Sequence, residues 1–447
     1  MMKKRVIIVG SGPAGLFGAL ELSRDSGIEV CIFEKKSRCG GAGTNSDGKL
    51  VLSGEVGGEM PGIIGQDRFH QLMGVVDRTF TRFGGEQKIY EKNYRKIKKL
   101  VETAASFDMH LIPTKTRHFG SDNAPEIVKN IKEELEKRGV KIYLNTPVES
   151  VEKKDKVFLV KTGGKDPKEF ESDYVIVATG RDRTGWWVEL AKNLGLNTIK
   201  ADTYDFGVRV EVPEYVFKPV TDYLYDPKFV IYKTKCTGDK VRTFCVCPKG
   251  QVITETESGL TLVNGHSFEK DSSRKTNNTN FAILVSTVLK QGFDKPFEFA
   301  RNLSMLGNYL AVEGKVLVQR LGDLTAPQER RSYPERIEEI KDFIVPTLKT
   351  AFPGDIGHFI PYRPMRSILE MLERLNNMVP GISSDHTLLY APEAKFYSNR
   401  VESSQDLETK IEGLFAVGDG AGITRGIMHA SISGIVAAQA ILKRCRN

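Results

Sequence analysis

The chain has 447 residues, 40% of them hydrophobic, with 65 Lys and Arg against 57 Asp and Glu for a formal charge of +8. That length supports two cores of ordinary size, and no run of about 18 apolar residues exists to cross a membrane. The excess of positive charge is mild and both signs are interspersed, which argues against a nucleic-acid partner and leaves an anionic small-molecule substrate open.

The first strand begins at once, so no signal peptide is read and the expectation is a cytoplasmic protein. Six scattered cysteines, Cys31, Cys39, Cys236, Cys245, Cys247 and Cys445, make no disulfide framework. The sequence sets no oligomeric state.

Lys4-Arg5-Val6-Ile7-Ile8-Val9 predicts a buried strand, and Gly10-Ser11-Gly12-Pro13-Ala14-Gly15 a glycine turn opening a helix. Gly10 permits the bend, Gly12 lets backbone approach a pyrophosphate, and Gly15 lets helix pack closely on strand, with Pro13 and Ala14 in the same turn. Phosphates would sit on the helix N-terminus, where unpaired N–H groups and the helix dipole favour negative charge. A second apolar strand, Val30-Cys31-Ile32-Phe33, ends at Glu34 and Lys35, where a carboxylate has the spacing of a ribose ligand. Its preference for a free 2′-hydroxyl favours NAD or FAD over NADP.

Amphipathic helices are expected over 67–83, ended by Gly84-Gly85, and over 94–107, together a lid or connector. Ser121 or Asp122 caps a helix to Arg138 that Gly139 stops, and 140–144 returns as a strand. Residues 148–170 alternate in short runs, the pattern of an antiparallel meander, and Tyr174-Val175-Ile176-Val177 predicts a buried strand ending in Ala178-Thr179-Gly180. From about 200 to 359 the chain turns β-rich, with strands expected over 205–212, 229–235, 241–255 and 259–267 and helices over 296–310, 334–351 and 366–377. Residues 269–280, rich in Ser, Asn, Lys and Thr, read as a mobile loop. Near the C-terminus a short strand meets a second glycine turn, Gly418-Asp419-Gly420-Ala421-Gly422, followed by a helix over about 423–442 whose small residues suit close packing on a sheet.

The pairing of these two glycine turns with the Ala-Thr-Gly turn resembles the glutathione reductase-like FAD superfamily. The resemblance implies FAD as cofactor, Gly418 and Asp419 at the ribityl chain, and the last helix start, Gly426 and Ile427, at the flavin pyrimidine. It also implies that the backbone at Val148 holds the adenine and that Ala178, Thr179 and Gly180 lie near the cofactor. No second glycine fingerprint occurs over 150–380, so the chain is closer to the hydroxylase-like branch, and NADH or NADPH would bind only transiently as donor. Gly40-Gly41-Ala42-Gly43-Thr44-Asn45-Ser46-Asp47-Gly48-Lys49-Leu50, Phe244-Cys245-Val246-Cys247-Pro248 and Asn264-Gly265-His266-Ser267 resemble a narrower family known only as FAD-dependent dehydrogenases. The chain departs from that family's pattern at Asn45, at Lys249 and at Thr424-Arg425.

By that resemblance Gly43 and Thr44 approach the cofactor, and Lys49 either stabilises negative charge on reduced flavin or is an ordinary surface lysine. Arg425 would supplement the helix dipole beside the pyrimidine, while His429 caps or packs. Cys245 and Cys247 share a face of a strand and could face the flavin as nucleophile, redox pair or soft ligands. Filling a tight sheet face is the preferred reading, because no Cys-x-x-Cys and no zinc spacing is present. Arg181-Asp182-Arg183-Thr184 reads as solvated or anion-binding, His266 as structural or acid-base, and one of Trp186 and Trp187 as a core anchor.

The expected fold is α/β: a discontinuous Rossmann-like FAD domain (1–65, 108–200, 380–447), a helical connector (66–107) and a mixed β-rich substrate domain (201–379). The expected function is an FAD-dependent oxidoreductase, a dehydrogenase or reductase transferring hydride between flavin and a small organic substrate. The alternatives are a monooxygenase or oxidase, a tRNA-modifying flavoprotein, and an FAD electron-transfer module for a protein partner.

Overall fold

The computed structural model describes residues 3–85, 88–90, 93–181, 184–257, 259–288, 295–312, 314–326, 337 and 340–446. The chain divides into two compact units, one comprising Met1–Gln87, Arg117–Ala201 and Tyr397–Asn447, the other Lys88–Thr116 and Asp202–Phe396.

The first unit is built on β1 (Lys4–Val9) and β2 (Ile28–Phe33), joined by α1 (Pro13–Leu22). These strands belong to a five-stranded parallel sheet in the order Leu414–Ala416, Tyr174–Val177, β1, β2, Lys141–Tyr143. Continuous apolar runs such as Val6 to Val9 suit a parallel sheet because both faces are covered. The segments Val148–Lys154, Val157–Thr162 and Glu169–Ser172 form the antiparallel meander. The C-terminal helix runs over Ile427–Arg446. Its small face meets α1 rather than the sheet expected from sequence: a Cβ on Gly434 would lie 1.9 Å from the Ala14 carbonyl oxygen, and one on Gly18 3.2 Å from the Gly434 oxygen. The helix Gln66–Arg82 lies in this unit and buries Phe69, Leu72, Val76 and Phe80.

The second unit centres on an eight-stranded, mainly antiparallel sheet. Its order is Phe352–Pro353, Leu317–Arg320, Leu388–Lys395, Thr203–Pro213, Asn278–Val288, Lys240–Pro248, Lys228–Ile231, His110–Ile112. A separate hairpin pairs Gln251–Glu257 with Leu260–His266. The helices Tyr94–Ser106, Pro296–Leu310 and Tyr362–Met378 belong to the same unit.

Four sequence expectations are corrected here. The strand expected over 241–255 is two strands in different sheets, divided where Lys249 takes a left-handed φ of +53°. The stretch 269–280 is not one loop: Ser272–Arg274 form a 3-10 turn, and Asn278, Thr279 and Asn280 are buried at the start of a central strand. Residues 334–336 and 338–339 of the helix expected over 334–351 lie outside the described residues, and 340–351 are short turns joined by irregular backbone. Leu388–Lys395, in a stretch assigned from sequence to the first domain, is a buried interior strand of the second unit. Among the described residues, no helix is long and apolar enough to cross a membrane.

Candidate functional site

The glycine turn after β1 divides its glycines between packing and opening. Gly10 takes a φ of +105°, and a Cβ there would lie 2.8 Å from the Ala178 carbonyl oxygen. A Cβ on Gly15 would sit 2.0 Å from the Gly10 oxygen, so neither position admits a side chain. At Gly12 no atom lies within 4 Å of the position a Cβ would take. Gly12 is the N-cap of α1, no side chain caps that helix, and Pro13 follows it. With the space beside Gly12 open and no side chain on the first-turn N–H groups, this helix N-terminus has room for a phosphate group.

Glu34 is buried just beyond β2 and braces this turn. Its Oε2 accepts from Ser11 N–H at 3.0 Å and from Ser11 Oγ–H at 2.7 Å, and Oε1 accepts from Lys36 N–H at 2.9 Å. A carboxylate has about four acceptor positions, so one stays open to a ribose hydroxyl. Lys35 beside it is partly exposed. Ser11 was not singled out from the sequence, because its partner is 23 residues away.

The loop 40–44 folds back onto the same turn. Gly40 N–H donates to Ser11 O at 2.9 Å, and a Cβ on Gly43 would lie 3.3 Å from Pro13 Cγ. Thr44 Oγ–H donates to Cys39 O at 2.8 Å. Lys49 is not a surface lysine: its side chain is 3% exposed and Nζ lies 2.9 Å from Asp47 Oδ2, so its charge is compensated. Val148 is buried at the first position of the meander, opposite Thr162.

The C-terminal glycine turn joins this cluster. Gly420 N–H donates to Thr179 O at 3.0 Å, and a Cβ on Gly420 would lie 2.3 Å from that oxygen. Gly418, at φ +75°, would bring a Cβ within 3.2 Å of Ala14 Cβ, while no atom lies within 4 Å of the Cβ position of Gly180. Gly418 N–H is held by Ser433 Oγ at 3.0 Å. The three glycine-bearing turns thus converge at the C-terminal ends of β1, Tyr174–Val177 and Leu414–Ala416, the edge where parallel α/β sheets bind ligands.

Asp419 accepts from Thr424 Oγ–H at 2.6 Å, and Arg181 Nε lies 3.6 Å from its other oxygen. Burial raises the Asp419 carboxyl above its usual range, opposed by Arg181 and by the Thr424 bond. Thr424 stood out in the sequence only as a departure from a pattern. Asp182 and Arg183 lie outside the described residues. Arg425 is exposed with its guanidinium 4.2 Å from the Tyr397 ring centroid, and its N–H donates to Gly57 O at 2.8 Å. Gly426 and Ile427 follow directly into the last helix.

His429 is fully buried, its ring 4.8 Å from that of Phe69 and its Nε2 3.2 Å from Ser53 O. Burial lowers its pKa to about 4, so it is a neutral packing group. Trp187 is the buried core anchor, and Trp186 Nε1–H donates to Glu149 O at 2.9 Å.

Cys245 and Cys247 lie in the second unit, both buried, with their sulfurs 3.6 Å apart. Next to them is an ion pair absent from the sequence reading. Arg209 and Glu393 are fully buried, joined by Nε–Oε2 at 2.9 Å and Nη2–Oε1 at 3.0 Å. Arg209 also donates to Asn280 Oδ1 at 2.7 Å and Cys245 O at 3.2 Å. His266 Nε2 lies 3.7 Å from Glu255 Oε1.

A model of the HI0933-like protein Rossmann domain matches residues 4–419. An uncharacterised protein of Clostridium beijerinckii is 24% identical over 495 residues, covering 99% of this chain and 81% of that one. The flavin-dependent halogenase CmlS is similar with a TM-score of 0.43 and 15% identity over the whole chain, which spans 59% of the halogenase's length. Glycine oxidase from Geobacillus kaustophilus has a TM-score of 0.42 and 14% identity, covering 99% of this chain and 95% of that one.

Proposed function

The chain belongs to the HI0933-like Rossmann-domain family, and from that premise we propose that its first unit binds FAD and that the protein is an FAD-dependent oxidoreductase acting on a small organic substrate. The observation that carries the reading is the open, uncapped N-terminus of α1 at Gly12, set between Glu34 and the Asp419 turn. Bound FAD supplies two-electron hydride chemistry.

Each residue then has a defined task. The first-turn N–H groups at Ala14 and Gly15 hold the pyrophosphate, and Glu34 takes a ribose hydroxyl. The Val148 backbone holds the adenine. Asp419, oriented by Thr424, accepts from a ribityl hydroxyl, and this second turn is what favours FAD over NAD. Ala178, Thr179 and Gly180 form the wall between the two turns. Arg425, with Gly426 and Ile427 at the start of the last helix, supplies positive potential where negative charge develops. Lys49, paired with Asp47, shapes the loop beside the turn.

One glycine strand-turn-helix serves the tightly held cofactor, so a nicotinamide donor would bind only in passing. The test is anaerobic addition of NADH, then NADPH, to the FAD-loaded protein while following oxidised-flavin absorbance. Bleaching by either establishes a nicotinamide-driven reductase. Failure of both, together with failure of reduction by any organic substrate in a panel of hydroxy and amino acids, overturns the oxidoreductase reading.

A further inference from the structure

In a regular strand the side chains of residues i and i+2 share a face but stand about 7 Å apart along it. Cys245 and Cys247 depart from that geometry. The pairing of Lys240–Pro248 with Asn278–Val288 shifts register between Phe244 and Cys247, and Cys245 takes a left-handed φ of +48°. A side-chain-bearing residue pays for that conformation, so the surrounding structure must hold it there. The bulge draws the two sulfurs to 3.6 Å, within reach of an S–S bond once either moves by a fraction of a rotamer.

We propose that Cys245 and Cys247 are a reversible dithiol–disulfide couple, a redox site independent of the FAD reading. Cys245, 6% exposed, meets the oxidant, and Cys247, fully buried, resolves. The guanidinium of Arg209 donates to the Cys245 carbonyl at 3.2 Å and so anchors the bulge that brings the sulfurs together. The oxidant is a low-molecular-weight disulfide, RSSR. The Cys245 thiolate attacks one of its sulfurs, forming a Cys245–SR bond and releasing RS⁻, which takes up the proton that Cys245 lost. The Cys247 thiolate then attacks Cys245 Sγ, forming the Cys245–Cys247 bond and releasing the second RS⁻, which takes up the Cys247 proton. Two thiols lose two electrons and two protons, and RSSR leaves as two RSH.

The experiment treats the full-length protein and its Cys245→Ser and Cys247→Ser variants with bis(2-hydroxyethyl) disulfide. Remaining thiols are then alkylated, and the peptide carrying both positions is weighed. Circular dichroism melts confirm that the variants fold, and the exposed Cys236 reports that the reagent is active in every sample. The expected results are a wild-type peptide lighter by two hydrogens, a hydroxyethylthio adduct trapped on Cys245 in Cys247→Ser, and no adduct on Cys247 in Cys245→Ser. Wild-type protein in which both thiols stay alkylatable while Cys236 is modified overturns the proposal. So does a wild-type peptide bearing separate adducts without a cross-link, or equal trapping on either single thiol.

Discussion

Lowering the pH should weaken the first unit through His429. In the folded chain its pKa is about 4 against an ordinary 6.5, because the ring is buried against Phe69 and the Gly57-Gly58 backbone. Between those values the unfolded chain binds a proton that the native one excludes, so stability falls as pH falls through that window. At about 1.4 kcal/mol per unit, the full difference is about 3 kcal/mol, of which about 2 kcal/mol is lost between about pH 7 and pH 5. The assay is urea denaturation at both pH values for the wild type and for His429→Gln, whose amide can still donate to the Ser53 carbonyl. The variant is expected to lose less stability on acidification, and the difference of differences isolates this one ring. Equal pH dependence in the two proteins would refute the burial argument.

Two further perturbations separate binding from folding. Gly12→Ala meets no protein atom and should cost at most about 1 kcal/mol of stability as a changed N-cap, yet it should weaken FAD binding in a fluorescence titration. Gly15→Ala places a methyl 2.0 Å from the Gly10 oxygen and should sharply lower the melting temperature of whatever protein folds. Arg209→Met strips the buried Glu393 of its bidentate partner, leaving Lys395 Nζ at 3.7 Å, and should cost about 3 kcal/mol in a denaturation experiment. A near-neutral Arg209→Met would show that Lys395 alone compensates Glu393.

The parts legible in the sequence are those set by local physics. β1 and β2 announce themselves as apolar runs, and the glycine turns as positions where only glycine fits the backbone. Glu34 is marked by its spacing from the glycine turn and the last helix by its small residues, whereas Asp419 is singled out by the resemblance of its Gly-Asp turn. What escaped depends on partners far apart in the chain. Leu388–Lys395 carries Pro392, Glu393 and Lys395, which read poorly as a buried strand until Arg209, 184 residues earlier, supplies the counter-charge. Asn278 and Asn280 read as loop by composition, yet Asn278 Nδ2 donates to Glu211 and Asn280 Oδ1 accepts from Arg209 inside the second unit. Lys49 was ambiguous because only the fold shows it buried on Asp47. The cysteine pair was visible as a shared face, but the bulge that brings the sulfurs into contact arises from strand pairing.

A first unit built to hold FAD should bind it in preference to the nicotinamide dinucleotides. Equilibrium titration of the cofactor-stripped protein with FAD, and separately with NAD and NADP, by quenching of ligand or Trp fluorescence tests it most directly. The account predicts one FAD per chain, bound more tightly than either nicotinamide dinucleotide and weakened by Gly12→Ala. Absence of FAD binding by folded protein, or tighter binding of NAD or NADP, would contradict it.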